Sequence, residues 1–189
     1  MKRVAHLLAL SVVLLSVVGR AQDIRDRVAA PVVRQEIIDS IDPDTNVYGV
    51  PYGTTEDQFI AQYGKPVAYL RLTATESAMC YGKRTAFLFT AGKLSGIRIV
   101  QTIVDWKLAE AIAPSPIFES IKWRLTNGIF RDMNLAEVKR ILGDNLKNDR
   151  YRWSYDTARA HVDLQFSHFV ADGEKDEAYQ LDGLLIRLR

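Results

Sequence analysis

The amino-acid sequence predicts an α+β protein built from two tandem repeats, each a helix or helical pair packed on an antiparallel sheet of about four strands. Three observations predict it. A capped apolar segment ending at glycine occurs twice, as Gly53-Thr54-Thr55-Glu56-Asp57-Gln58-Phe59 through Tyr63-Gly64-Lys65-Pro66 and as Asp132-Met133-Asn134-Leu135-Ala136-Glu137-Val138 through Leu142-Gly143-Asp144. Each copy is followed by aromatic, β-prone stretches that read as strands. Each set of strands closes on a Leu-x-Gly-aliphatic turn, Leu94-Ser95-Gly96-Ile97 and Leu181-Asp182-Gly183-Leu184.

Taken in order, residues 1–21 read as a cleaved export signal. Lys2 and Arg3 precede the apolar run Val4 to Val18, and Gly19-Arg20-Ala21 supplies small residues for the peptidase. The run is short for the roughly 20 apolar residues of a membrane span. Removing Lys2, Arg3 and Arg20 with this leader lowers the basic count from 25 to 22 against 23 acidic residues, a net charge of −1. A near-neutral chain without a Lys/Arg cluster has no electrostatic footprint for nucleic acid or for an acidic membrane face. The expected location is the periplasm, with secretion as the variant. A hydrophobic fraction of 48 % excludes disorder and supplies a core.

Residues 22–46 form an N-terminal segment with a short helix after Pro31, since proline suits a first helical turn. The stretch Asp42-Pro43-Asp44-Thr45-Asn46 is turn chemistry. The first repeat spans 47–104. In it Thr55 caps a helix with Glu56 and Asp57 at its positive end, Phe59, Ile60 and Tyr63 form the buried stripe, and Gly64 ends it before Pro66. Strands are expected over Val67–Thr73, Ser77–Tyr81, Thr85–Phe89 and Leu94–Val104, turning at Gly82-Lys83-Arg84 and Ala91-Gly92-Lys93. Residues 105–125 are a connector.

The second repeat spans 126–189. Asn134 caps its helix, Leu135, Val138, Ile141 and Leu142 form its stripe, and Gly143 stops it. Its strands are expected over Arg150–Tyr155, Arg159–Val170 and Tyr179–Leu188, with Ala171–Glu177 as a solvated loop.

This pattern resembles the superfamily that contains the small outer-membrane assembly lipoproteins of the SmpA/OmlA (BamE-like) type and the tandem-repeat β-lactamase inhibitor proteins. Gly53, Thr54, Phe59, Gly64 and Pro66 carry the likeness in the first repeat, Val138 and Gly143 in the second. The resemblance implies helices packed on one face of an antiparallel sheet and protein binding through the other face. The chain departs from the lipoproteins in having Gln22 where a lipidated cysteine would stand, and from the inhibitors in having Cys80 as its one cysteine. No individual binding residue transfers.

Chemistry-bearing constellations are sparse, and the chain is not expected to be an enzyme. His161 and His168, seven apart on a strand, point to opposite faces and cannot share a metal. Cys80 reads as a small buried hydrophobe. Glu56 with Asp57 suits a helix N-terminus, and Asp172-Gly173-Glu174-Lys175-Asp176 lacks the spacing of a calcium loop. There is no phosphate-binding glycine loop and no Cys-x-x-Cys, so no cofactor and no metal are expected. In Tyr151-Arg152-Trp153-Ser154-Tyr155 the aromatics share one strand face and Arg152 and Ser154 the other. The aromatic stripe is either core or an exposed binding face, and the candidate protein-binding residues are Tyr151, Arg152, Trp153, Tyr155, His161 and Asp163. If Val162, Leu164 and Phe166 face the helices, then His161, Asp163 and Gln165 face away. The expected function is binding of another envelope or secreted protein, as assembly factor or inhibitor. The alternative is a carrier of a small molecule or lipid, which a cavity lined by Phe87, Phe89 and Trp106 would mark, whereas an exposed Trp153 face would mark the protein binder.

Overall fold

The computed structural model describes residues 39–100, 118, 121–149, 152–168 and 179–189. The expected export leader, the helix expected after Pro31, residues 105–117 of the connector and the 171–177 loop lie outside the described residues. What is described is α+β and mostly strand, with two sheets and two short helices.

The helices form where the capping chemistry predicts. Helix α1 is Glu56–Tyr63, and the Thr55 hydroxyl accepts from the Gln58 amide while the Gln58 side chain accepts from the Thr55 amide. Helix α2 is Leu135–Leu142 and is closed in the same reciprocal way by Asn134 and Glu137. Each stops at a glycine with positive φ, +82° at Gly64 and +53° at Gly143. Phe59, Ile60 and Tyr63 are buried in α1, and Leu135 and Val138 in α2. Ile141 departs from the expected stripe. It is 38 % exposed, because successive helix positions lie about 100° apart and Leu142, not Ile141, shares the face of Leu135 and Val138.

The main sheet has eight antiparallel strands: β4 (Ala68–Arg71), β5 (Glu76–Cys80), β6 (Thr85–Thr90), β7 (Lys93–Ile99), β9 (Lys147–Asp149), β10 (Arg152–Asp156), β11 (Ala160–His168) and β12 (Tyr179–Leu188). Their spatial order is β4-β5-β6-β7-β12-β11-β10-β9, so two four-stranded meanders meet along their last strands. A smaller sheet of β1 (Ser40–Asp42), β2 (Asn46–Val47), β3 (Val50–Pro51) and β8 (Arg124–Leu125) has the order β3-β2-β1-β8, with β1 and β8 parallel. It links residues on either side of the first meander. The Asp44 carboxylate of its turn accepts from the Thr157 hydroxyl at 2.6 Å and from the Arg159 amide at 2.8 Å, tying it to the β10–β11 hairpin.

The two Leu-x-Gly motifs are not turns. Both lie within strands, where the pairing Leu88↔Gly96, Phe89↔Leu94 leaves Ser95 over, and the pairing Gln165↔Gly183, Phe166↔Leu181 leaves Asp182 over. Each motif is thus a β-bulge with a buried leucine before it. The glycines sit on the β7–β12 seam. A Cβ on Gly96 would lie 2.1 Å from the Ile186 carbonyl oxygen, and one on Gly183 would lie 2.6 Å from that of Ile99. Only glycine lets the two strands approach there. The buried leucines also fasten the helix starts: Gly53 N–H donates to Leu94 O at 2.9 Å and Leu94 N–H to Thr54 O at 2.8 Å, while Asp132 N–H donates to Leu181 O and Leu181 N–H to Met133 O, each at 2.8 Å.

Both helices lie on one face of the main sheet. On the first meander Phe59 packs its ring against Phe87, Tyr63, Tyr81 and Phe89 with centroids 4.5 to 5.6 Å apart, and Phe118 caps Phe87 at 4.9 Å. On the second, Val138, Leu164, Leu181, Leu184 and Val162 continue the same core.

Candidate protein-binding face

Strand pairing sorts the candidate residues between the two faces. Trp153 stands opposite Leu164 and Tyr155 opposite Val162, both core residues, so Trp153 and Tyr155 lie on the helix side. Tyr155 is 3 % exposed, and its hydroxyl accepts from the Asn127 side chain at 3.1 Å. Burial pushes its pKa up to about 12. Trp153 is half-buried, with the Lys139 ammonium of α2 lying 5.0 Å from its ring centroid and Phe166 edge-on at 6.5 Å. The exposed aromatic face is therefore corrected for Trp153 and Tyr155: both lie on the helix side, with Trp153 beneath Lys139 of α2, because the aromatics of β10 continue the apolar row of β11. Tyr151 lies outside the described residues.

Arg152, His161 and Asp163 lie on the opposite, open face, as the alternation of Val162, Leu164 and Phe166 predicts. Two cross-strand rows define that face. One runs Leu70, Ala78, Leu88, Gly96, Arg187, His161 and Asp156, and the other runs Ala68, Cys80, Ala86, Arg98, Leu185, Asp163, Ser154 and Lys147. Apolar side chains occupy the β4–β6 end, arginines the seam and mixed charges the β11–β9 end.

At the charged end Asp156 is the hub. It accepts from Lys147 Nζ at 2.9 Å, faces His161 Nδ1 at 2.8 Å and has the Arg189 guanidinium at 3.8 Å, while His161 Nε2 lies 3.4 Å from Asp163. The hydrogen bonds from His161 and Lys147 hold the Asp156 carboxyl down at about 2. At the apolar end Ala78, Cys80 and Ala86 form a second buried cluster with Ala68, Leu70 and Leu88 against it. Sequence reasoning missed this cluster. Its signal is the alternation of the small residues Ala78, Cys80 and Ala86 with the large Met79 and Phe87 along β5 and β6. Cys80 is fully buried within it, and burial raises its thiol to about 11, away from thiolate chemistry. Among the described residues no three His, Cys, Asp or Glu side chains converge to hold a metal ion.

No protein-family model and no curated protein matches the chain. A solved structure of an extracellular protein containing a SCP domain, from Bacillus anthracis strain Ames, is similar with a TM-score of 0.45 and 11 % identity. The similarity covers 85 % of this chain and 49 % of that one, so the chain spans about half the length of that protein. At this level the likeness carries no argument, and the reading rests on the sheet itself. Among the described residues no helix is long and apolar enough to cross a membrane.

Proposed function

We propose that the protein is an exported, non-catalytic binding module that engages another envelope or secreted protein through the open face of its main sheet, as an assembly factor or an inhibitor. One observation carries this reading. Helices and aromatic core occupy one face of eight strands, while the other offers apolar, cationic and mixed-charge zones in contiguous cross-strand rows. Such a surface sets apolar and charged zones side by side, the mixture found at recognition sites.

The same proposal takes the chain as a duplicated unit of the SmpA/OmlA and tandem-inhibitor kind behind a cleaved leader at residues 1–21. Several matched details support duplication. Each half has a reciprocal cap, a helix stopped at a positive-φ glycine, a four-stranded meander and a Leu-x-Gly bulge. The residues that begin each motif, Gly53 and Asp132, both have positive φ, at +89° and +75°. The carrier alternative draws no such support, since Phe87 and Phe89 spend their faces on neighbouring rings. Trp106 lies outside the described residues.

Affinity capture of the tagged mature protein from its native envelope tests the proposal. The expected result is a stoichiometric protein partner retained by wild type and lost by an Arg152→Ala, Asp163→Ala variant whose melting is unchanged. Co-purified lipid or small molecule without a protein would move the assignment to a carrier.

A further inference from the structure

The open face has a groove at the rim where the two meanders meet. It is shallow and open to solvent, and is lined on that face by Leu72, Glu76, Leu88, Thr90, Ser95 and Arg187. Its origin lies in the bulge. Gly96 stands between Leu88 and Arg187 in the cross-strand row, and a glycine is required there by the Ile186 carbonyl, so the row lacks a side chain at its middle. The walls are chemically unlike. Leu72, 52 % exposed, and half-buried Leu88 supply the apolar surface, Glu76 stands on β5 and Arg187 on β12. Neither Arg187 nor its exposed neighbour Arg98 has an ion-pair partner among the described residues. Thr90 and Ser95 share a hydroxyl hydrogen bond of 2.9 Å, which leaves the floor polar but satisfied.

We infer that this groove is the anchoring subsite for the partner protein and takes one of its aliphatic side chains, flanked by a carboxylate that meets Arg187 and Arg98. The inference rests on the protein-binding reading. Charge complementarity selects the occupant: Arg187 in the groove and Arg98 next to it, neither ion-paired among the described residues, stand beside exposed Leu72 and half-buried Leu88 and suit an apolar anchor with an acidic neighbour. Glu76 on the far wall rejects an acidic group there, which gives the anchor a direction across the strands.

Backbone NMR titration of the full protein with short synthetic peptides tests it, each peptide carrying one central leucine flanked by aspartates, lysines or serines. The aspartate peptide is expected to shift the Leu88, Ser95 and Gly96 amides saturably and to bind about three- to fivefold tighter than the lysine peptide, the scale of one exposed charge pair. Arg187→Glu, at an exposed position, should invert that order, and Leu72→Ser should weaken all three peptides. Shifts that fall elsewhere, or an order unchanged by Arg187→Glu, overturn the inference. An envelope partner lost with Arg152→Ala, Asp163→Ala but kept with Arg187→Glu would leave the binding face standing and remove the groove.

Discussion

At the residue scale, the glycines of the seam carry the sharpest prediction. Gly96→Ala and Gly183→Ala place a methyl group against a backbone oxygen that cannot move without parting β7 from β12. Each should cost about 3 kcal/mol or more in urea unfolding, or prevent folding. Gly143→Ala isolates the conformational part, since nothing lies within 4 Å of its Cβ and only its backbone, with φ +53° and ψ −133°, opposes a side chain, at about 1–3 kcal/mol. Ala91 runs the other way. Its φ of +50° and that of +73° at Gly92 belong to a two-residue hairpin turn that favours Asn or Gly, so Ala91→Gly should raise stability by about 0.5 kcal/mol. Asp156 gives a pH test. Its folded pKa is depressed to about 2 from 3.8, so the ion cluster supports the fold above pH 3.8 and the support is lost as pH falls toward 2. A carboxyl NMR titration should show that midpoint, rising in His161→Ala. The Leu-x-Gly motif was visible in the chain, but not its role, because a bulge and a turn use the same glycine and differ only in the partner strand.

At the element scale, the helices were the most legible part, because a capping box and a terminal glycine are local signals. Thr55→Ala and Asn134→Ala should each lower stability by about 1 kcal/mol, read from the midpoint of chemical denaturation. The strands β1, β8 and β9 were not legible. They are two or three residues long, and Lys147-Asn148-Asp149 is wholly exposed and polar, so no periodicity marks them. For β10 the alternation separated Arg152 from Trp153 and Tyr155 correctly, yet alternation cannot say which side the helix covers. Pairing with Val162 and Leu164 decides that. The same pairing moves the candidate site from the aromatics to Arg152, His161 and Asp163.

At the scale of the whole molecule, one sheet with one covered face accounts for both stability and the proposed function. The core holds several tyrosines, Tyr48, Tyr63, Tyr81 and Tyr155 buried and Tyr52 partly so. Desolvation raises the pKa of Tyr155 to about 12 and those of Tyr48, Tyr52 and Tyr81 further. Groups that hold their protons more tightly when folded lend stability below their unfolded pKa of 10.0 and lose it as pH rises beyond. The urea midpoint should therefore fall steadily above about pH 10. The α+β class was readable from the motifs and strand composition. The joining of β7 to β12 was not, since it depends on contacts nearly ninety residues apart. Photo-crosslinking in the native envelope tests the central claim most directly, with a benzophenone side chain placed at Arg152 on the open face or at Ile141 on the exposed side of α2. A discrete protein adduct from position 152 and none from 141 is the predicted result. An adduct from 141 alone, or lipid at 152, would contradict the assignment of the open face as the binding surface.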